Sequence, residues 1–549
     1  MKRIITILLS LSISFATIIH IPADQPTIQM GINSTTSGDT VLVYPGTYFE
    51  HLVIQSNLTL ASLYLIENDT TFISQTILDG SNLHPVLDVL SGCDSTTVVQ
   101  GFTITHGQGG FGAGIVTIAS SPQISQMVIR DNHAQYGGGV YCFGSESEPK
   151  FRQVQILQNT AEQGGGIYVD LSTLTLEQSI VVENVAEYHG GGICTQGSTV
   201  SLLLDLVHIN GNSAEYSGGG IHIGHGGEAW IHRSKLNQNS AIHSQGGGIC
   251  TEESTLVITS SEITQNSSDN GGGGIALSFS ELTLLNSQLQ SNSAGAFGGG
   301  GGILLWISQA TLKNTILRDN VAGMMDFENG ASSGGAIGLV VGTAVLTNCT
   351  IIDNSSEYVA GLDCYSGNYQ LINTILWHNS PWNMSSIITD HDYCEIMVKH
   401  SLIENGIASM NLDLEEGDQL NWLEGNLEID PLLVDHETAP VPSAFSPVVD
   451  SGTPDTTGLG LPELDMLGLP RMIDGNTDGW AVIDMGATEF QLATGDLNED
   501  GQLDVLDVIH LINCIIEINE DNCFQGDLNT DGINNVLDII LLVNIIMEN

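Results

Sequence analysis

Basic residues are scarce in this sequence of 549 residues, which contains 11 Lys and Arg against 63 Asp and Glu. The formal net charge of −52 argues against nucleic acid and anionic lipid as partners, because like charges repel. Such a surface attracts divalent cations, and it equally fits the solubilising surface of a secreted protein.

Long apolar runs are also missing, since no segment reaches the roughly 18 uninterrupted apolar residues expected of a transmembrane helix. At the N-terminus, Lys2 and Arg3 precede an apolar stretch over residues 4–11, and Ser14 and Ala16 place small residues at a cleavage site. This pattern predicts a signal peptide over residues 1–16. We therefore expect a secreted, extracellular protein, with association to the cell surface left open.

Cysteine is infrequent, and its nine residues are an odd number that does not fit a disulfide scaffold. Only Cys514 and Cys523 lie close together in a segment that indicates a local bridge. The spacing leaves open whether they pair.

A repeat dominates the middle of the chain. Between residues 129 and 379, an apolar-x-x-Asn-x-(Ala/Ser) segment recurs, and in most repeats a short spacer and Gly-Gly-Gly-Ile or a close variant follow it. Successive asparagines are 27, 25, 28, 27, 27, 26, 28, 34 and 25 residues apart, which is too regular for chance. They are Asn132, Asn159, Asn184, Asn212, Asn239, Asn266, Asn292, Asn320, Asn354 and Asn379.

Each repeat has the pattern of short strands separated by sharp bends. Apolar residues alternate with period two, as at Leu174 and Leu176, and glycines interrupt the alternation. We predict three short strands per coil, with like strands stacked in parallel about 4.8 Å apart. Ile, Leu and Val would then form a continuous core ladder. The asparagines would hydrogen-bond along the stack, and glycine would allow positive φ at the bends.

Three segments resemble known right-handed β-helix proteins. Residues 21–51, with Ile-Pro-Ala-Asp-Gln-Pro-Thr-Ile-Gln and Gly-Asp-Thr-Val-Leu-Val-Tyr-Pro-Gly-Thr-Tyr, resemble the start of pectin-lyase-like proteins, where a capping helix leads into the first coil. The Asn-x-Ala and Gly-Gly-Gly-Ile repeats are similar to those of polymorphic outer-membrane proteins, which are adhesin passengers. Ser446-Pro-Val-Val-Asp450 and Ile483-Asp-Met-Gly-Ala-Thr-Glu-Phe490 are similar to the end region of anchored bacterial β-helix proteins.

These resemblances imply an all-β fold for most of the chain. We expect a right-handed parallel β-helix solenoid with an N-terminal cap over residues 17–430. Residues 431–493 are then the C-terminal end region of the β-helix and a linker.

After Thr494 the sequence changes to two copies of one loop pattern, 31 residues apart. Oxygen ligands fall at loop positions 1, 3, 5, 9 and 12, backbone carbonyls are expected at position 7, and Gly501 or Gly532 occupies position 6. Hard oxygen ligands at this spacing select Ca²⁺. The predicted ligands are Asp496, Asn498, Asp500, Gln502, Asp504 and Asp507 in the first loop, and Asp527, Asn529, Asp531, Ile533, Asn535 and Asp538 in the second.

Each loop runs into an apolar helical segment, over residues 505–516 and 536–547. Aspartate at position 12 and the duplicated order of loop and helix resemble a type I dockerin, so residues 494–549 are predicted to form a small α-helical, calcium-binding domain. The resemblance implies docking to a cohesin-type partner through positions 10 and 11, which could instead pack the core of the module. These residues are Val505, Leu506, Val536 and Leu537.

The β-helix fold occurs in polysaccharide lyases and hydrolases as well as in non-enzymes, so fold alone does not decide catalysis. A lyase acting on uronates needs a basic proton abstractor beside a calcium-binding carboxylate cluster, and no basic residue lies in a recognised lyase motif. Gly224-His225-Gly226 matches one motif of polygalacturonases, but the chain has no Asp-Asp dipeptide and Asn476-Thr-Asp478 comes too late. The catalytic residues therefore stay unassigned.

One stacked column carries soft metal ligands. It is formed by the residue after the repeat's isoleucine, which in consecutive coils is Tyr168, Cys194, His222 and Cys250. His225 or His243 is a further donor, but we expect this column on an outward surface and favour that interpretation over a zinc site. Cys194 and Cys250 stand two coils apart, which is too far for a disulfide.

The sequence supports three functions. The first is a calcium-dependent β-helix that binds extracellular polysaccharide and docks through its C-terminal module. The second is a polysaccharide lyase or glycoside hydrolase delivered by the same module, and the third is a cell-surface adhesin. Rings near the bends either stack on sugars or cover the surface; they are Tyr136, Tyr188, Tyr216 and Trp230.

Overall fold

A computed structural model describes residues 16–548, apart from 296–298, 324–333, 358, 387–392, 413–417, 436–438, 444, 477–478, 491–494, 498–502, 517–525, 527 and 529–534. By its internal contacts the chain divides into two compact units. The first contains the residues up to His243 together with Gly248–Thr255, and the second contains Ser244–Gly247 together with the residues from Leu256 onward. Predicted residues outside the described ranges include the signal peptide up to residue 15.

Parallel strands dominate both units. In chain order, strands β1 to β29 are Ile18–Ile21, Thr40–Val43, Gly46–Tyr48, Leu52–Ile54, Thr59–Ser62, Thr76–Asp79, Leu87–Val89, Val98–Gln100, Thr103–Thr105, Gln108–Phe111, Ile115–Ile118, Gln123–Arg130, His133–Tyr136, Val140–Phe143, Lys150–Leu157, Thr160–Gln163, Ile167–Asp170, Thr173–Glu177, Ile180–Val182, Val185–Ala186, Ile193–Gln196, Ser201–Asp205, His208–Asn210, Ser213–Ala214, Ile221–Ile223, Glu228–His232, Lys235–Asn237, Ser240–Ala241 and Ile249–Glu252. Strands β30 to β52 are Thr255–Thr259, Glu262–Thr264, Ser267–Ser268, Ile275–Ser278, Glu281–Leu285, Gln288–Gln290, Ser293–Ala294, Ile303–Trp306, Ser308–Lys313, Ile316–Arg318, Val321–Ala322, Ile337–Thr347, Thr350–Ile352, Ser355–Ser356, Leu362–Ile372, Ile375–Trp377, Met384–Ser386, Cys394–Lys399, Leu402–Ile403, Met410–Asn411, Gln419–Trp422, Leu433–Asp435 and Pro440–Pro442.

A typical coil contains four strands, so the prediction of three was wrong. The coil that starts at β17 (Ile167–Asp170) continues through β18 (Thr173–Glu177) and β19 (Ile180–Val182) to β20 (Val185–Ala186). The short strand β20 follows Asn184 and belongs to a separate sheet. A strand of two residues was not predictable, because it is too short to show any alternation of apolar and polar residues.

The core of each unit is a set of in-register columns. In the first unit, Ile167, Ile193, Ile221 and Ile249 are successive partners in parallel strands, and all four are fully buried. Each isoleucine covers the one on the neighbouring coil, so apolar burial is shared between coils. The predicted ladder of aliphatic side chains is confirmed.

Buried asparagines form a hydrogen-bonded ladder beside this core. In the first unit, Asn159 Nδ2 donates to Asn184 Oδ1 at 3.0 Å, and Asn184 Nδ2 donates to Asn212 Oδ1 at 3.0 Å. Each acceptor oxygen also receives the backbone N–H of the preceding asparagine. The second unit repeats the pattern along Asn292, Asn320 and further residues. The predicted role of these asparagines is therefore confirmed.

The glycine triplets let the bend lie close to its surroundings. Gly190 has a φ of 65°, and a Cβ there would lie 2.7 Å from the Cβ of Cys194. A Cβ on Gly191 would lie 2.5 Å from the carbonyl oxygen of Gly219 in the next coil. A side chain at either position would push the bend away from Cys194 or from the next coil.

Few helices occur in the described residues. Helix α1 (Ile28–Ser34) follows Thr27, whose side chain accepts a hydrogen bond from Met30 N at 3.2 Å, and it contacts β1, β2 and β4. The helix expected near the N-terminal end is therefore present. The remaining helices are α2 (Tyr64–Glu67), α3 (Thr71–Gln75), a 3₁₀ helix over Gly406–Ser409, α4 (Val505–Ile516) and α5 (Val536–Glu548).

One disulfide in the second unit was not predicted. Cys364 and Cys394 are bonded, and they lie on β44 (Leu362–Ile372) and β47 (Cys394–Lys399), which are paired parallel strands. The pairing was missed because it depends on strand register and not on sequence proximity. Cys514 is also disulfide-bonded, while Cys523 lies outside the described residues.

Candidate functional site

The C-terminal loops keep part of their predicted ligand set within the described residues. Asp496 and Asp507 are both buried, and Leu497 N donates to Asp507 Oδ1 at 2.8 Å. That bond brings the beginning of the first loop against its end, which is the convergence that a calcium loop requires. The remaining predicted ligands lie outside the described residues: Asn498, Asp500, Gln502, Asp527, Asn529, Asp531 and Ile533.

Positions 9 and 12 of both loops cap the helices that follow. Asp504 Oδ1 accepts from Leu506 N at 2.6 Å, and Asp507 Oδ2 accepts from Asp504 N at 2.8 Å. Asn535 and Asp538 repeat both bonds at the start of α5. This reciprocal arrangement is a capping box with aspartate in place of the usual glutamate. The duplicated sequence pattern therefore corresponds to duplicated geometry.

The four predicted docking residues are exposed. Val505 and Leu506 on α4, and Val536 and Leu537 on α5, each leave half or more of their surface open to solvent. The core of the helix pair contains Leu511 and Leu542 instead. The alternative that the docking residues pack this core is therefore wrong. Other apolar side chains that are exposed on the same helices are Ile509, Ile512, Ile516, Ile540, Leu541, Val543 and Met547.

A groove runs across the paired strands β38 (Ser308–Lys313), β41 (Ile337–Thr347), β44 and β47 in the second unit. One cavity of about 400 Å³ is lined by Gln309, Thr343, Asn368 and Tyr393 among others, and a second of about 190 Å³ shares Asn368. We call the two together the polar groove. The further residues lining it are Ile307, Ser308, Val341, Gly342, Ser366, Gly367, Tyr369, Gln370, Glu395, Met397, Asn421 and Leu423.

Strand register places amide and hydroxyl groups on successive coils of the polar groove. Gln309, Thr343, Asn368 and Glu395 are partners in adjacent strands, and they alternate with buried neighbours such as Ala344. Among the described residues that line the groove, only Glu395 carries a formal charge. Amide groups and hydroxyl groups can each both donate and accept hydrogen bonds.

The column of soft ligands has the predicted order but not the predicted exposure. Tyr168, Cys194, His222 and Cys250 are successive partners in β17, β21, β25 and β29, and all are buried. The outward surface expected here is wrong, because the glycine-rich bends fold back over the column. A Cβ on Gly218 would lie 2.8 Å from the Cβ of His222.

Burial sets the ionisation of this column. It lowers the pKa of His222 to about 3, with the neighbouring His189 and His225 adding to the shift, so the His222 ring is neutral at neutral pH. Burial also raises the pKa of Cys250 to about 12, and the charge of Glu252 contributes. The resulting group contains a neutral imidazole, a thiol and a nearby carboxylate.

The exposed rings near the bends largely stack on each other. Tyr188 and Tyr216 lie with ring centroids 5.9 Å apart at 16°, and Phe111 and Tyr136 lie 5.4 Å apart at 13°. Mutual stacking occupies ring faces that a sugar would need. Trp230 is half-exposed on β26 (Glu228–His232). These rings favour the surface-covering role over sugar binding.

His51 and His106, both in the first unit, each pair with a carboxylate. His51 Nε2 is 2.9 Å from Asp88 Oδ2, and His106 Nδ1 is 2.9 Å from Asp79 Oδ2. His84 stacks on His51 with centroids 5.7 Å apart. A carboxylate that holds one ring nitrogen orients the imidazole, which is the arrangement of a general base. These pairs are not recognisable in the sequence, because their members lie 37 and 27 residues apart.

Comparison with known proteins agrees with the coil architecture. Residues 40–236 match the family model of a right-handed beta helix region, and the coils are those of a right-handed parallel β-helix. No curated protein matches the chain. Within the described residues, none of the helices has the length and apolar character needed to cross a membrane.

Several solved structures align with a large part of the chain at low sequence identity. Pectate lyase Pel9A is 12% identical and covers 87% of this chain and 97% of its own, with a TM-score of 0.32. An alginate lyase from Paenibacillus sp. str. FPU-7 is 13% identical, and the match covers 74% of this chain and 99% of the lyase, with a TM-score of 0.24. A tailspike protein, gp49 from Acinetobacter baumannii bacteriophage Fri1, is a capsular polysaccharide depolymerase. It is 13% identical, and the match covers 77% of this chain and 63% of the tailspike protein, with a TM-score of 0.24. These values leave function to be argued from the residues of this chain.

Proposed function

We propose that this protein is a secreted β-helix that binds an uncharged extracellular polysaccharide in the polar groove. Its C-terminal loops bind Ca²⁺ and present a docking face to a cohesin-type domain. The observation that carries the proposal is the column Gln309, Thr343, Asn368, which offers one polar side chain on each successive coil.

The chemistry of the polar groove matches a glycan chain. Strands repeat about every 4.8 Å along the stack, which is close to the length of one sugar residue in an extended polysaccharide. Amide and hydroxyl groups can donate to and accept from sugar hydroxyls, and the half-exposed ring of Tyr393 offers an apolar face. The net charge of −52 disfavours a polyanionic ligand.

The test is calorimetric titration of the mature chain with soluble neutral and acidic polysaccharides. We expect binding to a neutral member of the panel, and a loss of affinity of about tenfold or more for Asn368→Ala and for Tyr393→Ala. Trp230→Ala is the matched control, because Trp230 is also a half-exposed aromatic but lies outside the polar groove. Binding that survives Asn368→Ala and Tyr393→Ala, or that depends on Trp230, contradicts the proposed groove.

The docking part of the proposal depends on the symmetry of the exposed helix starts. Leu506 and Leu537 occupy equivalent positions in α4 and α5, so either helix can present the same face to a partner. With a type I cohesin domain as the probe, we expect calcium-dependent binding that survives Leu506→Asp or Leu537→Asp alone and is lost in the double variant. Ile516→Asp, at the far end of α4, is the control. Absence of binding by the unmodified chain in Ca²⁺ contradicts a cohesin-type partner.

A second candidate function is cleavage of polysaccharide, and the His51–Asp88 and His106–Asp79 pairs favour it. In this function an oriented imidazole removes a proton from the substrate or from water. Unsaturated products and new reducing ends are followed with the same polysaccharide panel. We expect any cleavage to be lost in His51→Ala or His106→Ala and kept in His133→Ala, since His133 contacts the Thr160 hydroxyl and no carboxylate in the described contacts. Binding without products retains only the first function.

A further inference from the structure

A compact group of side chains of metal-ligating types lies in the first unit. The ligand atoms of His222, Cys250 and Glu252 all lie within 4.8 Å of one another. Strand geometry explains the convergence. His222 on β25 and Cys250 on β29 are register partners, and Glu252 is two residues after Cys250, on the same face of the strand.

The position next to Glu252 on the neighbouring coil carries no side chain. Gly224 comes directly after β25, at the position that the strand register would place beside Glu252, and a Cβ there would lie 3.4 Å from His222 Nε2 and 3.5 Å from Gln196 Oε1. A larger residue at this position would therefore crowd the space next to the imidazole. Gln196, at the end of β21 (Ile193–Gln196) on the preceding coil, borders the same position.

One ring nitrogen of the buried His222 is available to bind a ligand. Its side chain is only 5% exposed, and its Nδ1 atom makes no hydrogen bond in the described part of the structure. The His189 ring stacks on it with centroids 4.7 Å apart, and His189 Nδ1 is also buried without a hydrogen bond. An unpaired polar atom in such a position costs about 1–3 kcal/mol, which a bound ligand would recover.

We propose that His222, Cys250 and Glu252 form a Zn²⁺ site that joins two neighbouring coils of the first unit. Thiolate sulfur and imidazole nitrogen suit zinc and do not suit calcium, which takes oxygen ligands. Zinc ligands stand about 2.0–2.3 Å from the ion, so the three donor atoms must approach each other further, by side-chain rotation. Three protein ligands leave the fourth position for water, on the partly exposed side of Glu252.

The experiment uses the full chain with its thiols reduced, stripped of metal by a chelator and then returned to excess Ca²⁺. Co²⁺ is the probe, because a thiolate bound to it gives a charge-transfer absorption that carboxylate loops cannot produce. We expect one equivalent of Co²⁺ to give this absorption and Zn²⁺ to remove it. The absorption is lost in Cys250→Ser and persists in Cys194→Ser, the matched control, since Cys194 occupies the same column outside the three-residue group.

Glu252→Gln is a second test of the Zn²⁺ site, and it does not depend on whether Cys250→Ser folds. Glu252 is only partly buried, so its substitution leaves the core intact, and we expect the affinity for Zn²⁺ to fall about tenfold or more. Circular dichroism confirms the fold of each variant. The proposal is overturned if the reduced, folded chain gives no thiolate absorption, if Cys250→Ser retains it, or if Glu252→Gln binds Zn²⁺ as tightly as the unmodified chain.

Discussion

Arg471 Nη1 donates a hydrogen bond to Glu489 Oε1 at 2.6 Å, and both side chains are buried. The same guanidinium donates through Nη2 to Asn314 Oδ1 at 2.6 Å and to the carbonyl oxygen of Ala487 at 2.8 Å. Asn314 follows β38, whereas Arg471 and Glu489 belong to the irregular segment after β52 (Pro440–Pro442). The hydrogen bond to Asn314 therefore fastens this segment to the coils of the second unit, and the pair with Glu489 holds the guanidinium in place.

Removing the cation from this pair should destabilise the second unit. At pH 9, where the Glu489 carboxyl group is ionised despite its raised pKa, Arg471→Met leaves this charge buried without its partner, and we expect a loss of roughly 3–5 kcal/mol in the free energy of unfolding. The double variant Arg471→Met, Glu489→Leu should recover much of the loss, because no isolated charge remains. The free energy of unfolding of both variants is measured by urea denaturation, with limited proteolysis as the readout. Arg233→Met, which breaks an exposed pair with Asp205, should have little effect, and an equal loss there would argue against the burial explanation.

The same cluster makes stability depend on pH. Burial raises the pKa of Asp484 to about 7 and, together with the charge of Asp484, raises the pKa of Glu489 to about 8. Both values exceed the unfolded values of about 4, so the folded state holds protons that the unfolded state releases. The stabilisation is therefore complete below about pH 4 and is lost as the pH rises through 7 to 8.

Comparing Asp484→Asn with the unmodified chain isolates this dependence from that of the other acidic groups. We expect the difference between their unfolding midpoints to change between pH 5 and 9, with the variant showing the shallower decline. Parallel pH profiles would show that the raised pKa values do not contribute to unfolding.

The asparagine ladder should be sensitive to a single truncation. Asn212 Oδ1 accepts from both the backbone and side-chain nitrogens of Asn184, and Asn212 Nδ2 donates to Val181 O and Asn239 Oδ1. Asn212→Ala leaves several of these buried groups unpaired, at about 1–3 kcal/mol each. We expect a clear drop in the thermal midpoint of the first unit. Glu187→Ala, an exposed substitution in the preceding coil, is the control, and a similar drop there would remove the special role of the ladder.

Calcium removal should affect the two C-terminal helices selectively. Chelation leaves the clustered carboxylates of the proposed loops without a counter-ion, so we expect circular dichroism to lose the helical signal of α4 and α5 while the β signal persists. Asp507→Asn should weaken calcium binding yet keep an acceptor for the helix start, since Asp507 Oδ2 accepts from Asp504 N. Simultaneous melting of helices and strands would show that the boundary predicted at residue 494 is misplaced.

Features that repeat along the chain were predictable from sequence. The spacing of the asparagines gave the stacking partners, and position within the repeat gave the column of Tyr168, Cys194, His222 and Cys250. The predicted helix over residues 505–516 has the same bounds as α4. The helix predicted over residues 536–547 begins where α5 begins and ends one residue before α5 ends. Periodicity succeeds here because each coil contacts mainly its neighbours.

Features that depend on what covers a strand were not predictable. His222 is buried because the bend at Gly218 covers it, and the alternation of apolar and polar residues in the sequence does not indicate this burial. The polar groove lies where β41 and β44 extend to 11 residues each. The 34-residue spacing between Asn320 and Asn354 was the available signal of an irregular coil, but it does not reveal which side chains line a cavity.

The buried thiols have a consequence for heating under oxidising conditions. Cys93, Cys142, Cys194, Cys250 and Cys349 are free and enclosed, while Cys364 and Cys394 are bonded to each other. Unfolding brings thiols and disulfide into the same solvent, where a thiolate attacks the disulfide sulfur and the bond migrates to new partners. Without a reductant, the melted chain then acquires mismatched crosslinks, and cooling does not restore the native coils.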